Sequence, residues 1–150
     1  QDMTLPSTRG TPRNVEITCE LGGRDNYWDL YSDADVLVMP RRYGGLCMPT
    51  QEAMASGLAV VMGDCQPNNW WPTLRVPTRT TRALSVPAGK VAMHMVNPSA
   101  LATMLDRLAT DEALLYEHQE AGVAWAQVHS WSVMKDVYRN QLASVDRVAS

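Results

Sequence analysis

Residues 35–64, DVLVMPRRYGGLCMPTQEAMASGLAVVMGD, constrain the fold more than any other stretch. They open with a four-residue apolar run, 36–39, closed by Pro40. A run apolar on both faces reads as a buried strand of a parallel sheet. A loop with Arg41, Arg42, Gly44 and Gly45 follows, then Met48-Pro49. Proline suits the first turn of a helix, where its missing N–H costs nothing. That helix is predicted to run to about Ser56, with Gly57 as its left-handed stop. A second apolar run, 58–62, is the next parallel strand. The unit is strand, glycine loop, helix, strand.

Such a unit is suited to an anion. Free N–H groups and the positive dipole end of a helix, beside glycines that admit a ligand to the backbone, favour phosphate. Arg41 and Arg42 add positive charge. Glu52 falls one turn inside the helix, where a carboxylate would repel phosphate but accept two hydrogen bonds from a vicinal diol such as ribose. The unit is therefore read as a holder of a nucleotide through its phosphates and its sugar.

Composition narrows the class. The 150 residues suffice for one domain with a true core. A net charge of −3 argues against a nucleic-acid module. Cys19, Cys47 and Cys65 lack Cys-x-x-Cys spacing, which points away from zinc or a disulfide framework and towards a reducing, cytoplasmic setting. No apolar run approaches a membrane span. His118 and His129 have no metal-ligand spacing to any acidic or cysteine cluster and read as surface or partly buried structural residues.

Around the central unit, residues 1–14 are polar and without period, a linker or frayed end. Residues 15–21 alternate as a strand, closed by Gly22-Gly23, which reads as a turn more readily than as a phosphate loop. Residues 26–34 carry Tyr27, Leu30 and Tyr31 at helical spacing. The loop 63–73 holds Asp64, Asn68 and Asn69, then Trp70-Trp71, at the end of a strand where doubly wound folds keep their crevice. The tryptophans are read as packed on the sheet. Residues 74–82, with Arg75, Arg79 and Arg82, form an irregular or solvated extended run. Residues 83–86 and 90–95 flank Pro87-Ala88-Gly89 as a hairpin. Asn97-Pro98 starts a helix striped with Leu101, Met104, Leu105 and Leu108. Asp111 starts another, with Leu114, Leu115, Val123, Ala124 and Val128 expected on its buried side. Ser130-Trp131-Ser132 opens the last, with Trp131, Met134, Tyr138 and Leu142 on one side.

Arg42-Tyr43-Gly44-Gly45-Leu46-Cys47-Met48-Pro49-Thr50-Gln51-Glu52-Ala53, then Gly57-Leu58-Ala59-Val60-Val61, resembles the donor-binding motif of GT-B glycosyltransferases, nearest to family 4 (group 1). Their pattern is Glu-Gly-Phe-Gly-Leu-Pro-x-x-Glu-Ala followed by a Gly-x-Pro-Val strand. Gly45, Pro49, Glu52, Ala53 and Gly57 match, whereas Gly44 stands where the family has its first glutamate. Leu30-Tyr31, Ala34-Asp35-Val36 and Pro40 match the preceding segment, and Ser130-Trp131 with Tyr138 resembles the end of such domains. The likeness spans about 15–142.

It implies an α/β fold: a Rossmann-like parallel sheet flanked by helices, the C-terminal half of a GT-B enzyme without its first strands, ending in helices. It also implies a domain over 15–150 that binds a nucleotide-diphosphate sugar. The sugar would pass to an acceptor held by an N-terminal domain, with no cofactor or essential metal and, for family 4, with retention at the anomeric carbon. Donor-binding residues implied are Arg42, Tyr43, Gly44, Gly45, Leu46, Cys47 and Glu52, with Asp64, Asn68 and Asn69 in a possible pocket loop. The isolated chain is expected to bind donor weakly and not turn over. The departure at Gly44 leaves an alternative of another class, a degenerate, non-catalytic nucleotide- or sugar-binding or assembly module.

Overall fold

A computed structural model describes residues 16, 18, 23–42, 45–87 and 89–146. The expected linker 1–14, most of the expected strand 15–21, Tyr43 and Gly44 lie outside the described residues. The chain divides into two compact units, one up to Leu30 and one from Tyr31 onward. In the first, Tyr27–Leu30 forms one 3-10 turn. Asn26 Nδ2 donates to Asp29 Oδ2 across it at 3.2 Å. This is shorter than the helix expected over 26–34. A helix needs several bonded turns to offset its nucleation cost, and Ser32-Asp33 already turn the chain.

The second unit is built on a three-stranded parallel sheet. Its strands are β1 (Val36–Met39), β2 (Ala59–Gly63) and β3 (Leu74–Val76), in that order. Val36 pairs with Ala59 and Val38 with Val61; Val61 pairs in turn with Leu74. Helix α1 (Met48–Ala55) joins β1 to β2 as the sequence predicts, with Pro49 in its first turn and Gly57 at φ +85° ending it. A side chain at Gly57 would strain this left-handed turn.

Strand alternation sends β2 to two cores. Val60 and Met62 pack with Ala53 and Met54 of α1, Leu58 and Trp71. Ala59 and Val61 pack with Leu74, Val76 and Leu108 on the opposite face. All five residues of β2 are buried, which is why it reads as an unbroken apolar run. Strand β1 is less enclosed than expected: Val38 is 37% exposed. Among the described residues β1 has a neighbour on one side only.

After β3, Pro77 separates the sheet from an antiparallel hairpin, β4 (Thr78–Val86) and β5 (Gly89–Val96). The hairpin is longer than the sequence suggests. The run through Arg82 is regular strand with one shift of register between Thr80 and Arg82, and Arg75, Arg79 and Arg82 are exposed. Helix α2 (Pro98–Thr110) starts where expected, with Asn97 Oδ1 accepting from the amides of Ser99 and Ala100. It lays Leu101, Met104, Leu105 and Leu108 on the β1–β3 sheet. Helix α3 (Glu112–Val128) is capped by Asp111, which accepts from Leu114 N at 3.0 Å.

The buried side of α3 differs from expectation. Ala124 and Val128 are exposed and Val123 is half-buried, while Gly122 is buried and Trp125 packs on the first core. Leu115, His118, Gly122 and Trp125 recur at steps of three and four, so a histidine and a glycine occupy the stripe that an apolar-only reading misses. Gly122 permits α3 to approach α1 closely. A Cβ there would lie 3.2 Å from Cβ and Cγ of Met54. Helix α4 (Trp131–Asp146) begins at the predicted place, but its apolar side is open: Trp131 and Leu142 are each 70% exposed. Parallel strands with helices on both faces make the Rossmann-like α/β architecture expected. No helix among the described residues is long and apolar enough to cross a membrane.

Candidate functional site

Strands β1 and β2 end side by side, and α1 begins beside those ends. Cys47 is the N-cap of α1, in an extended conformation (φ −96°, ψ 93°), and its side chain makes no capping bond. The thiol position is buried in the first core, so packing rather than capping selects the residue. Thr50 and Gln51 both donate to the carbonyl of Cys47, at 3.1 and 3.4 Å. Pro49 has no N–H to give. The amides of Gly45, Leu46 and Cys47 donate to no acceptor among the described residues. They form an open set of donors at the positive end of a helix dipole, which is the arrangement an oxyanion needs.

The loop carrying these amides is tied to the one that follows β2. Asn68 is buried in a short 3-10 turn, Asn68–Trp70, and its Nδ2 donates to the Gly45 carbonyl at 3.3 Å. Two of the sequence candidates are thereby brought together, with Asn68 holding the loop by its backbone. Its Oδ1 is buried and has no partner among the described residues. The backbone carbonyl of Asn69 accepts from Arg75 Nη1 at 2.8 Å.

Glu52 is half-buried on α1. The Tyr31 hydroxyl donates to Glu52 Oε2 at 2.8 Å, which fixes one carboxylate oxygen. The same carboxylate lines a cleft of about 290 Å³ with Gln51, Ala55, Ala126 and Ser130. Tyr31 was read from the sequence only as a helix-spacing and motif residue. No local signal joins it to Glu52, 21 residues away.

The two arginines of the loop part company. Arg42 lines a different cleft, with Pro40, Met95 and Leu101, and its carbonyl accepts from His94 N at 2.6 Å. Arg41 is half-buried at the end of β1. Its charge is near enough to Cys65 to lower the thiol pKa, against burial and the Asp64 carboxylate, which together push it up. Arg41, Asp64 and Cys65 therefore gather where β1 and β2 end. Asp64 is exposed, with its carbonyl accepting from Thr78 Oγ1 at 2.7 Å. Cys47 and Cys65 are free thiols. Among the described residues no group of three His, Cys, Asp or Glu side chains is placed to hold a metal ion.

Trp71 is buried against the sheet, as expected, whereas Trp70 is 55% exposed. Trp70 meets Trp125 edge-on at 5.6 Å, and Trp125 stacks on His129 at 4.1 Å and 14°. His129 is thus an exposed residue at the end of α3 whose ring packs on Trp125.

A parallel sheet with helices on both faces, and an uncapped helix N-terminus at its carboxyl edge, defines a Rossmann-like α/β domain. The sequence matches the family model of Glycosyl transferases group 1 over residues 4–111. The chain belongs to that family. The match takes in the whole strand–loop–helix–strand unit, the hairpin and α2, and ends at the cap of α3. No curated protein and no solved structure matches the chain.

Proposed function

We propose that this chain is the donor-binding domain of a glycosyltransferase that takes its sugar from a nucleotide diphosphate and works with an N-terminal acceptor domain. The supporting observation is the amide set of Gly45, Leu46 and Cys47, which has no acceptor among the described residues and stands at the uncapped start of α1. In sugar transfer the bond from the anomeric carbon to the diphosphate breaks, and negative charge grows on the departing oxygen. Fixed backbone donors facing that charge stabilise it without having to reorganise. Arg41 adds a positive charge at the same end of the sheet. Tyr43 and Gly44 belong to this loop in the sequence and would complete it.

Glu52 takes the ribose in this reading. The Tyr31 hydroxyl orients the Glu52 carboxylate before ligand arrives, and the carboxylate accepts from the hydroxyls of a vicinal diol. Asn68 contributes by holding the Gly45 loop in place. The charge of the departing diphosphate is met by amides and Arg41, so the reading assigns no metal and no cofactor. The two free cysteines fit a reducing, cytoplasmic setting.

The test is calorimetric titration of the chain with uridine, guanosine and adenosine diphosphate sugars. Weak, saturable binding of one of them is expected, with no turnover by the chain alone. Glu52→Ala is expected to weaken it by roughly 1.5–3 kcal/mol, the usual worth of a hydrogen bond to a charged group. Equal affinity of Glu52→Ala and the natural chain would refute the ribose role. Sugar transfer by the isolated chain would refute its dependence on an acceptor domain.

A further inference from the structure

The donor reading leaves unused the charge carried by the antiparallel hairpin. From Cys65 to Leu105 the chain holds Arg75, Arg79, Arg82 and Lys90 and no aspartate or glutamate. The net charge of −3, which argues against a nucleic-acid module for the chain as a whole, therefore divides into +4 in this run and −7 elsewhere. Arg79, Arg82 and Lys90 are exposed, and among the described residues none of them forms an ion pair.

The register of the hairpin brings two of these cations together. Residues 79 and 82 would face opposite sides of a regular strand. The shift between Thr80 and Arg82 absorbs one residue, so Arg79 pairs with Met95 and Arg82 with Met93. Both arginines therefore stand on one face, about 7 Å apart along the strand. Thr81 Oγ1 donates to the Met93 carbonyl at 3.3 Å and pins the bulge. Arg42 joins them at the base of the hairpin, where it lines a cleft with Met95. Asp64 meets the hairpin at Thr78, on the opposite face, through its carbonyl.

The side chains choose among the anionic partners such a surface could take. Among the described side chains the hairpin exposes no aromatic residue, and its exposed large apolar ones are Val91 and Met95, at 36% and 39%. An element seated in a bilayer surface carries Trp, Phe or Leu, and a binder of single strands stacks bases on aromatic rings. Here the exposed groups are arginine, lysine and the hydroxyls of Thr80, Thr81 and Ser85, which suit the phosphates of a duplex. The major groove of B-form DNA, about 12 Å wide, admits a two-stranded ribbon. Phosphates rise about 3.4 Å apiece along each strand, so arginines about 7 Å apart span two of those steps.

We infer that the β4–β5 hairpin binds duplex DNA through its phosphates, with Arg79 and Arg82 at the centre, Arg42 at the base and Lys90 at the tip, and without choice of sequence. This does not rest on the donor reading, in which Arg79, Arg82 and Lys90 have no part.

The test uses the whole 150-residue chain and a fluorescein-labelled duplex of mixed sequence, about 20 bp or two helical turns, followed by anisotropy. Saturable binding is expected. Its affinity should fall about 40- to 150-fold between roughly 50 and 200 mM salt, the counterion release of about three to four phosphates. Arg79→Ala combined with Arg82→Ala should lower the slope of log affinity on log salt by about 1.8. Lysine at both positions should restore it, and Lys135→Ala on α4 should change nothing. The inference is overturned if the duplex does not bind, if the double alanine variant keeps the natural slope, or if Lys135→Ala lowers it as much. It is also overturned if vesicles of phosphatidylserine and phosphatidylcholine, or the single strand, bind more tightly than the duplex. Displacement of the duplex by uridine diphosphate would overturn it too, by giving these contacts to the donor site. Uridine diphosphate binding without duplex binding sinks only this inference. Duplex binding without uridine diphosphate binding supports it and sinks the donor reading instead.

Discussion

The contact between Tyr31 and Glu52 is the most direct point at which to test how this fold sets up its site. The hydroxyl of Tyr31, a residue only 9% exposed, donates to Glu52 Oε2 at 2.8 Å. Hydrogen bonds to charged groups contribute about 1.5–3 kcal/mol when they are well enclosed. Glu52 is half-buried, so water competes for the carboxylate and the lower part of that range applies. A double-mutant cycle of Tyr31→Phe and Glu52→Ala isolates the pair from whatever else each side chain touches. The coupling expected in urea denaturation is about 1–1.5 kcal/mol. Tyr31→Phe alone should lower Tm by roughly 2–5 °C for a chain of this size. In titration with a nucleotide sugar the same substitution should weaken binding less than Glu52→Ala does, because it loosens the carboxylate without removing it. Additivity within about 0.5 kcal/mol would show that the bond does not hold Glu52. Weaker binding by Tyr31→Phe than by Glu52→Ala would refute the ordering of roles.

Other outcomes follow from the packing and the caps. Gly122→Ala gains about 1 kcal/mol of helix propensity but places a Cβ 3.2 Å from Met54, itself 1% exposed, at an overpacking cost of about 1–3 kcal/mol. A lowered urea midpoint is expected, and a raised one would show that α1 and α3 separate freely. Asn97→Ala removes the acceptor for the Ser99 and Ala100 amides and should cost about 1 kcal/mol by the same measurement. An unchanged midpoint would show that the cap contributes nothing. Cys65 has a thiol pKa raised above 9.0, by burial first and then by Asp64. A raised folded-state pKa stabilises the fold below the unfolded pKa, and that contribution is lost as pH rises through the folded one. Native alkylation by iodoacetamide at pH 9 should therefore be slower at Cys65 than in urea, and stability should fall above that pH. Equal rates in both conditions would refute the burial argument.

What could be read from the sequence was what neighbouring residues decide. The apolar runs at 36–39 and 58–62, Pro49 with Gly57, and Asn97 with Pro98 each place an element through local rules, and each element forms there. The Gly45–Asn68 contact was half legible: both residues were named as candidates, but the bond joining them crosses 23 positions. Arg41 and Arg42 show the limit of local reading. Adjacent residues at the end of a strand face opposite sides, so one sits near Asp64 and Cys65 and the other beside the hairpin. The contact of Trp70 with Trp125 was not legible, since it forms where α3 runs back across α1 at Gly122 and no periodicity within one segment encodes that crossing.

The caps carry the argument one step further. Helix α2 has Asn97 and α3 has Asp111, each accepting amide hydrogens of its own first turn. Helix α1 has Cys47, whose side chain is turned into the core and caps nothing. Helix α4 follows Ser130, whose hydroxyl pairs with Ser132 Oγ, so two of the four described helices carry a side-chain cap and the chain does not lack capping residues. One of the two without such a cap is the helix whose start lies beside the ends of β1 and β2. A capping side chain there would accept from Thr50 N and would leave the core position that Cys47 fills. Departures from local stability rules concentrate where a protein meets its ligand, and here the departure, the parallel strand ends and the family match coincide on one loop.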